Sequence, residues 1–423
     1  MVKVITYGTY DVLHRGHIRL LERAKALGDY LIVGVTSDSF DRTRGKINNQ
    51  QSLMERIAAV RDTGLADEII VEEYYGQKIE DIKKYGVDIF TVGSDWEGKF
   101  DYLKQYCKVI YLPRTEGISS SDLRDHVRKT TIGIVGDMAY KEKFINELQF
   151  VNGAQLCDCS NEAPDAVYVA SLPKDHYHDV KNALMTGKNV ICQSPLATNE
   201  TDCQELIRLA EEKGLVLFDA IKTAYLTAYE RLLLTVKSGI IGDAVSVDAT
   251  CTSLHDKDWE DVSVLSKKQN SICGWGPTAL LPVFQILGTD YVEKRIVTKL
   301  IDVPNRFDGF TKIDFVYDNA VASIKVAKAA KAEGELIITG TKGYIWVPAP
   351  WWKTDYFEVR FEDPLDNKKY FYQLDGIGLR YEIVEFLKSI GTKNRNQFIS
   401  SEVSIAISKI IEDFEKGDCV YLC

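Results

Sequence analysis

The sequence predicts an α/β fold in three parts: two parallel-sheet domains, residues 1–130 and 131–243, and an α+β domain, residues 244–423, with an open, mostly antiparallel sheet. Apolar runs alternate with helix-periodic segments up to about residue 240, which is typical of parallel sheets. An apolar strand that runs into a glycine turn occurs twice, ending at Gly8 and at Gly136. Beyond residue 244, β-rich segments follow one another until two closing helices, which predicts an α+β domain.

The first domain is predicted to alternate five strands with five helices. Each strand is a short run rich in apolar and β-branched residues, and each helix has apolar residues at helical spacing. The strands are Lys3–Tyr7, Tyr30–Thr36, Glu68–Val71, Ile89–Val92 and Val109–Tyr111; the helices are His17–Leu27, Ser52–Asp62, Gly76–Lys84, Phe100–Gln105 and Ser120–Arg128. This order predicts a doubly wound, Rossmann-like sheet.

The second domain begins a new strand at Thr131 and repeats the alternation. Its further strands are Asp165–Ser171 and Asn189–Cys192, and its helices are His176–Thr186, Glu200–Lys213 and Ala228–Ser238. The third domain has eight predicted strands and two helices: Ala244–Thr252, Arg295–Val303, Thr311–Tyr317, Ala320–Ala327, Gly334–Gly340, Gly343–Trp346, Tyr356–Phe361 and Lys369–Tyr372, then helices Leu379–Ile390 and Ser400–Lys416.

Composition narrows the classes of protein. A net charge of −10 argues against a nucleic-acid partner, which needs clustered cations. No apolar stretch reaches about 18 residues, so no membrane insertion is predicted. Met1 leads directly into a core strand without a signal peptide, and nine scattered cysteines form no zinc-spaced pairs. We therefore expect a cytoplasmic protein with free thiols.

The turn from Gly8 to His17 is the most informative segment. His14 and His17 flank Gly16 between a strand and a helix N-terminus, where free N–H groups and the helix dipole favour an anion. Two imidazoles there can donate to charge that grows during phosphoryl transfer. The alternative is a pair of turn histidines that only cap the helix. The strand before, the helix after and the Arg114–Ser121 motif favour the phosphate site.

Residues 1 to about 129 resemble the glycerol-3-phosphate cytidylyltransferase branch of the H-x-G-H nucleotidyltransferase superfamily. The matching stretches are Val4–Asp11, His14–His17, Leu20–Lys25, Gly28–Leu31, Gly93–Asp101 and Tyr111–Ser119. The resemblance implies a Rossmann-like nucleotidyltransferase domain and the reaction of CTP with a polyol phosphate, with Mg²⁺, to give a CDP-polyol and pyrophosphate. The metal-binding residues stay unassigned.

Site residues are assigned by the reaction's need for cationic donors and by the resemblance. We predict four catalytic groups: His14, His17, Lys46 and Arg114. The predicted nucleotide-binding residues lie at the strand ends and in the second motif: Gly8, Thr9, Tyr10, Gly16, Asp95, Arg114, Thr115, Gly117, Ile118 and Ser119. The predicted polyol phosphate ligands are Asp11, Lys46, Arg56 and Asp67. A solvated surface run is the alternative for the loop around Lys46.

Two further positions of the first domain bear on substrate specificity. Trp96 fits a core aromatic better than a ligand contact. Gly64 stands where relatives often carry an arginine, so either Arg61 or another subunit compensates, or the substrate preference has shifted.

Residues 131–423 resemble the Gfo/Idh/MocA oxidoreductases, the glucose–fructose oxidoreductase and inositol dehydrogenase type. The order of motifs agrees, including Ser194–Ala197 and Ser238–Gly242. The resemblance implies an NAD(P) cofactor, yet Met138 replaces the second glycine of the dinucleotide loop, and this argues against cofactor binding.

The residues that the oxidoreductases use for proton transfer are also replaced. Ser194 stands in place of their lysine, and Gly274 and Thr278 stand in place of an aspartate and a histidine. Lys222 is a substitute acid, with Tyr225 as a proton donor. His176 and His178 are either nicotinamide-side residues or a surface pair at a helix start. The tryptophans at 346, 351 and 352 fit core packing or a subunit contact.

Three functions remain in competition. The leading one is a cytidylyltransferase that makes CDP-glycerol or a related CDP-polyol for a cell-surface polymer such as teichoic acid or capsule. The second is a bifunctional enzyme whose C-terminal half reduces a keto or aldehyde phosphate with NAD(P)H before cytidylyl transfer. In the third, the C-terminal half is a non-catalytic oligomerisation module. The expected partners are CTP, a polyol phosphate and further copies of the chain in a homodimer or larger oligomer.

Overall fold

The computed structural model describes residues 1–43, 49, 51–113, 129–136, 138–151, 153–157, 163–254, 268–372, 374, 376–392 and 398–422. The chain forms two compact units, residues 1–128 and 129–423. The second unit contains both predicted C-terminal domains. No helix in the described ranges is long and apolar enough to cross a membrane.

The first unit is built on a five-stranded parallel sheet with the order β3-β2-β1-β4-β5. Its strands are β1 (Lys3–Gly8), β2 (Tyr30–Thr36), β3 (Glu68–Glu72), β4 (Ile89–Gly93) and β5 (Lys108–Leu112). Its helices are α1 (Arg15–Lys25), α2 (Asp38–Thr43), α3 (Leu53–Asp62) and α4 (Gln77–Tyr85), with short 3-10 helices at Ser94–Trp96 and Asp101–Gln105. The doubly wound prediction is confirmed.

Helices cover both faces of this sheet, which is why its strands are apolar at consecutive positions. Val4 belongs to the core under α1 and α3, where it joins Leu21 and Val60. Its neighbour Ile5 points to the opposite face and joins Ile82 of α4 in a second core. The two cores fix the strand register, because a one-residue slip would exchange their side chains.

The second unit begins with another five-stranded parallel sheet, of order β10-β9-β8-β6-β7. Its strands are β6 (Thr130–Gly136), β7 (Ala154–Leu156), β8 (Ala166–Ala170), β9 (Asn189–Gln193) and β10 (Leu217–Ala220). Its helices are α5 (Met138–Leu148), α6 (Pro173–Met185), α7 (Glu200–Lys213) and α8 (Thr227–Lys237). Gly136 has a φ of +115°, and a Cβ there would lie 2.2 Å from the Ala170 carbonyl carbon, so only glycine fits.

A nine-stranded sheet completes the second unit, in the order β18-β17-β16-β15-β11-β14-β13-β12-β19. Its elements are β11 (Ala244–Thr252), α9 (Ser271–Leu287), β12 (Glu293–Asp302), β13 (Phe307–Val316), β14 (Val321–Ala327), β15 (Leu336–Gly340), β16 (Tyr344–Val347), β17 (Tyr356–Arg360), β18 (Lys368–Phe371), α10 (Leu379–Thr392), α11 (Ser401–Lys416) and β19 (Val420–Tyr421). The sheet is mixed, because β11 pairs with β14, and β12 with β19, in parallel.

Several elements differ from the prediction. The sequence missed α2, α5, β7, β10, α9 and β19. Helix α9 is hidden in the sequence because Pro277 and Pro282 lie inside it, yet it packs on β11, β13 and β14 and is held by that packing. The predicted helix at 100–105 is a 3-10 helix. The predicted helix Ser120–Arg128 lies outside the described residues. The seven described cysteines carry free thiols.

Candidate active site

The turn between β1 and α1 presents two histidines at the carboxyl edge of the first sheet. His14 is the N-cap of α1, and its Nδ1 accepts a hydrogen bond from the Gly16 N–H at 3.0 Å. An accepting Nδ1 carries no proton, so in the neutral ring the proton is on Nε2. His14 therefore caps the helix with one nitrogen and is a donor through the other.

The two imidazoles stack on each other. Their ring centroids are 3.9 Å apart at an interplanar angle of 21°, and the Tyr10 ring meets His17 edge-on at 5.5 Å. Tyr10 is only 1% exposed. Its side chain therefore supports His17 from beneath, and the contact of Tyr10 with nucleotide stays a prediction.

Gly8 is required by the same packing. A Cβ on Gly8 would lie 2.9 Å from the Tyr10 ring, so glycine at this strand end makes room for the aromatic support of His17. This local role is visible for Gly8 in the structure, whereas its proposed contact with nucleotide stays a prediction. Gly16 lies in the first turn of α1, where its N–H is used by the His14 cap.

The backbone before His14 is held in an unusual conformation. Tyr10 and Val12 have φ values of +54° and +47°, which are costly for residues with a Cβ and most of all for β-branched valine. Gln51 holds this segment through two hydrogen bonds. The Gln51 side-chain oxygen accepts from the Val12 N–H at 2.8 Å, and the Gln51 backbone N–H donates to Asp11 Oδ1 at 3.0 Å. Asp11 is thus buried beside the histidine turn, and its contact with a polyol stays a prediction.

Arg56 has a different role from the predicted one. Its guanidinium is fully buried and donates to the carbonyls of Thr9 and Thr36 at 2.7 and 2.9 Å, while Nη2 pairs with Asp38 at 2.5 Å. Nη1 also lies 3.6 Å from the buried carboxylate of Asp41. Its donors are used inside the protein, so the prediction of substrate binding is wrong and Arg56 is a positioning residue.

Thr9 belongs to the network around Arg56. Its hydroxyl donates to Asp41 at 3.2 Å, and the same carboxylate accepts from Thr36 and from Asn49. Asp41 lies in α2, the helix that the sequence missed, and it joins the end of β2 to the residue after β1. The network fixes the strand ends from which the histidine turn begins.

Asp67 lies at the opposite edge of the sheet. It precedes β3, and its carboxylate accepts from the Leu31 N–H at 2.6 Å, at the start of β2, and pairs with Lys25. Five or six strand residues separate the two edges of the sheet, a distance on the order of 18 Å. Asp67 therefore lies far from His14 and His17 of its own chain, and its prediction as a substrate ligand is corrected. Gly64, whose φ is +66°, ends α3 near the same edge.

The Asp67→Asn variant tests this correction. We expect the turnover number and the KM for polyol phosphate to stay within about twofold of wild type. The Leu31 N–H and then Lys25 hold the pKa of Asp67 below its usual value, so its contribution to stability is present above the unfolded-state pKa and is lost as the pH falls. The difference in unfolding free energy should be below about 1 kcal/mol at pH 7, because the pair is partly exposed, and should shrink below about pH 4. A several-fold rise in KM would contradict the correction.

Other predicted residues fall at the same carboxyl edge or outside the described ranges. Asp95 lies in the 3-10 helix that directly follows β4, and it is exposed. Trp96 is 37% exposed, with the Lys99 ammonium 5.0 Å from its ring centroid, so its assignment to the core is wrong. Six predicted residues lie outside the described residues: Lys46, Arg114, Thr115, Gly117, Ile118 and Ser119.

The second unit contains a large cavity at the carboxyl ends of β8, β9 and β10. It has a volume of about 1170 Å³ and extends to α9. Ser194, Gly274 and Thr278, which are predicted to replace the oxidoreductase proton-transfer groups, all line it. Lys222 lines it too, and burial, followed by the neighbouring charge of Lys353, lowers the pKa of Lys222 to about 8. The sequence analysis identified the replaced groups and Lys222, but not the other lysines that line the cavity.

Glu382 lies near Lys222 in the protein interior, and Asp219 is buried in the same unit. Burial raises the pKa of Glu382 to about 8 and that of Asp219 to about 6, and Lys222 opposes the shift of Glu382. Tyr225 is 3% exposed, and its hydroxyl donates to the Asp219 carbonyl at 3.3 Å. It does not line the cavity, so its assignment as the proton donor is wrong.

His176 is neither a surface residue nor a cavity residue. It is fully buried, with its ring nitrogens 2.7 Å from the Pro195 carbonyl and 2.9 Å from the Ser171 carbonyl, and burial lowers its pKa. Its ring contacts the segments that follow β8 and β9 and joins them. Both predicted roles of His176, as a nicotinamide-side residue and as a surface residue, are therefore wrong. His178 is exposed. Trp352 lines the cavity, whereas Trp351 is a core residue.

Sequence comparison divides the chain in the same way. Residues 5–126 match the cytidylyltransferase-like family, and residues 123–220 match an oxidoreductase family with an NAD-binding Rossmann fold. The chain is 52% identical over 124 residues to glycerol-3-phosphate cytidylyltransferase of Bacillus spizizenii, which covers 29% of this chain and 95% of that protein. The corresponding Staphylococcus aureus enzyme is 46% identical over 127 residues, covering 30% of this chain and 96% of that protein.

Structural comparison places the second part among oxidoreductase folds. KijD10, a 3-ketoreductase from Actinomadura kijaniata in complex with TDP-benzene and NADP, has a TM-score of 0.58 at 14% identity and covers 70% of this chain and 100% of its own. An oxidoreductase from Agrobacterium radiobacter in complex with NAD⁺, L-tartaric acid and magnesium has a TM-score of 0.57 at 16% identity, covering 69% and 96%. At this identity the likeness concerns the fold alone.

Proposed function

The chain belongs to the cytidylyltransferase-like family through residues 5–126, and from this premise we propose that its first unit makes CDP-glycerol from CTP and glycerol 3-phosphate. The observation that carries the proposal is the stacked pair His14 and His17 at the N-terminus of α1. The product would supply a cell-surface polymer such as teichoic acid or capsule. We also propose that the reaction takes place in the cytoplasm and that the chain forms a homodimer or larger oligomer.

In the proposed reaction, a phosphate oxygen of glycerol 3-phosphate attacks the α-phosphorus of CTP. The new P–O bond forms as the bond to the β-phosphate oxygen breaks, and pyrophosphate leaves with that electron pair. The attacking group is already an anion, so the protein needs no strong base. CTP enters as its magnesium complex, since Mg²⁺ commonly binds through substrate phosphates.

The residues of the proposed site have separate roles in this reaction. His14 Nε2–H and the His17 imidazole donate to the triphosphate oxygens as charge grows on the α-phosphoryl group. The N-terminus of α1 favours the same negative charge. Asp11 contacts the polyol, Asp95 contacts cytidine or its ribose, and Lys46 and Arg114 add cationic contacts to the phosphates. The buried network of Arg56 and Asp41 positions the turn.

The test is pyrophosphate release from CTP and Mg²⁺ with a panel of polyol phosphates: glycerol 3-phosphate, glycerol 2-phosphate, ribitol 5-phosphate and erythritol 4-phosphate. We expect glycerol 3-phosphate to give the highest kcat/KM, by at least about tenfold. Each reaction is repeated with ATP in place of CTP, and we expect little turnover. Preference for another polyol phosphate would keep the cytidylyl transfer but change the product. No release with any member of the panel would reject the proposal.

A second candidate function is NAD(P)-dependent reduction of a keto or aldehyde phosphate by the second unit. The oxidoreductase fold and the presence of Lys222 in the cavity favour it. Two features suit the cofactor: the cavity lies at the carboxyl edge of a parallel sheet, and Gly136 keeps the close contact of β6 with β8. Met138, in place of the second glycine of the dinucleotide loop, opposes it. When bound, the cofactor would supply a hydride. Lys222 would give the carbonyl oxygen its proton.

Reduction is tested by adding NADPH and dihydroxyacetone phosphate or another carbonyl precursor to the panel. Turnover that requires both would establish the bifunctional enzyme, and the Lys222→Met variant should then lose most NADPH oxidation while it keeps pyrophosphate release from ready-made glycerol 3-phosphate. Absence of NADPH binding would favour a second unit without redox chemistry, such as an oligomerisation module.

A further inference from the structure

The cavity of the second unit is unusually rich in lysine. Six lysines from five separate segments line it: Lys143, Lys222, Lys268, Lys328, Lys331 and Lys353. No aspartate, glutamate, arginine or histidine is among the lining residues that the structure describes. The whole chain has a net charge of −10, so this concentration of positive charge is local and does not reflect overall composition.

The lysines approach the cavity from two sides. On one side, burial and then the positive charges of Lys353 and Lys143 lower the pKa of Lys222. The carboxylate of Glu382 opposes this lowering and so offsets part of the repulsion. On the other side, Lys328 Nζ donates to the Gln269 carbonyl at 2.9 Å, and Lys331 Nζ donates to the Thr252 carbonyl at 3.3 Å. Backbone carbonyls thus accept hydrogen bonds from two of the ammonium groups and help to orient them.

Gly274 makes room for one of these ammonium groups. A Cβ on Gly274 would lie 2.5 Å from both Cε and Nζ of Lys328. The lysine therefore occupies the space into which any side chain at 274 would project. By the alignment given above, position 274 replaces an acidic residue of the oxidoreductases. The change leaves space for a cation in place of a carboxylate.

We propose that this cavity binds a phosphate monoester of a small polyol or of its carbonyl form. Clustered ammonium groups repel one another, and a bound dianion would convert this repulsion into charge-assisted hydrogen bonds. Trp275 and Trp352, with ring centroids 4.8 Å apart, offer an apolar wall for the carbon chain. The cavity is larger than such a ligand, so a second molecule can enter beside it. The proposal does not depend on cytidylyl transfer by the first unit.

Lysine acetylation read by mass spectrometry tests the proposal on the intact chain, one residue at a time. With saturating glycerol 3-phosphate or dihydroxyacetone phosphate, acetylation of Lys222 and Lys328 should slow at least about fivefold, and inorganic phosphate should protect them more weakly. Glycerol should not protect them. The exposed lysines 213 and 237 of the same unit are internal controls and should not change. The two phosphate esters distinguish an alcohol ligand from its carbonyl form.

Other patterns of protection would overturn the proposal. Protection by CDP-glycerol alone would assign the cavity to a nucleotide diphosphate, and protection by NADPH alone would assign the lysines to the cofactor. Equal acetylation in all samples would reject a phosphate site. Pyrophosphate release is measured on the same protein, so protection without release would reject the proposed function of the first unit and keep the cavity proposal. Release of pyrophosphate without protection of the lysines would keep the proposed function of the first unit and reject the cavity proposal.

A charge-matched pair of variants gives an independent measurement. Calorimetric titration of glycerol 3-phosphate without CTP should show two binding sites per chain in the wild type. The Lys222→Gln/Lys328→Gln variant should show one, and the Lys213→Gln/Lys237→Gln control should keep two. Both double variants lose two positive charges, so a general change in charge cannot explain the difference. Two sites in both variants would overturn the proposal.

Discussion

The His17→Ala variant is expected to lower the turnover number of cytidylyl transfer at least about a hundredfold, with only a modest loss of CTP affinity. His17 is stacked on His14 and supported by buried Tyr10, so its ring is held in place before substrate binds. A donor held in this way acts mainly on charge that develops in the transition state. A hundredfold loss corresponds to about 2.7 kcal/mol of transition-state stabilisation. Steady-state pyrophosphate release and CTP titration measure the two effects separately.

The neighbouring histidine provides a matched control. His14→Ala removes both the imidazole and the N-cap acceptor, so it should lower the unfolding free energy by about 1 kcal/mol as well as the turnover. His14→Asn keeps a cap acceptor and should restore the stability but not the turnover. Wild-type turnover in His17→Ala would contradict the assigned role. Recovery of both properties in His14→Asn would leave only the capping function of His14.

The Arg56→Ala variant is expected to destabilise the first unit by about 3–5 kcal/mol, because it leaves the buried carboxylate of Asp41 without its nearby cation. The carbonyls of Thr9 and Thr36 also lose their donor. Scanning calorimetry should show a lower transition temperature for the first unit. The transition of the second unit is the internal control and should not move.

Two further variants separate the network from a substrate contact. Arg56→Lys keeps the charge but cannot donate to several carbonyls at once, so it should remain destabilised. Arg56→Met/Asp41→Asn removes the uncompensated buried charge and should recover part of the loss. A stable Arg56→Ala protein with a raised KM for polyol phosphate would contradict this interpretation and restore the predicted substrate role.

The parallel sheets were predictable because their strands are short, apolar on both faces and separated by helix-periodic segments. Helix α9 was not, because Pro277 and Pro282 oppose a helix locally and only packing on the mixed sheet stabilises it. The parallel pairing of β11 with β14 was missed for a similar reason. Periodicity shows that a segment is a strand but does not show its neighbour or its direction.

The sequence by itself determined where the proposed phosphate site lies, because His14, Gly16 and His17 follow one another within a few residues between a strand and a helix that the local sequence encodes. It also predicted which oxidoreductase groups are replaced. Only the tertiary structure decided the roles of Arg56 and Asp67, since burial and the edge of the sheet depend on residues far along the chain. The lysine cavity likewise exists only after folding: its six lysines extend from position 143 to position 353, and no local pattern connects them.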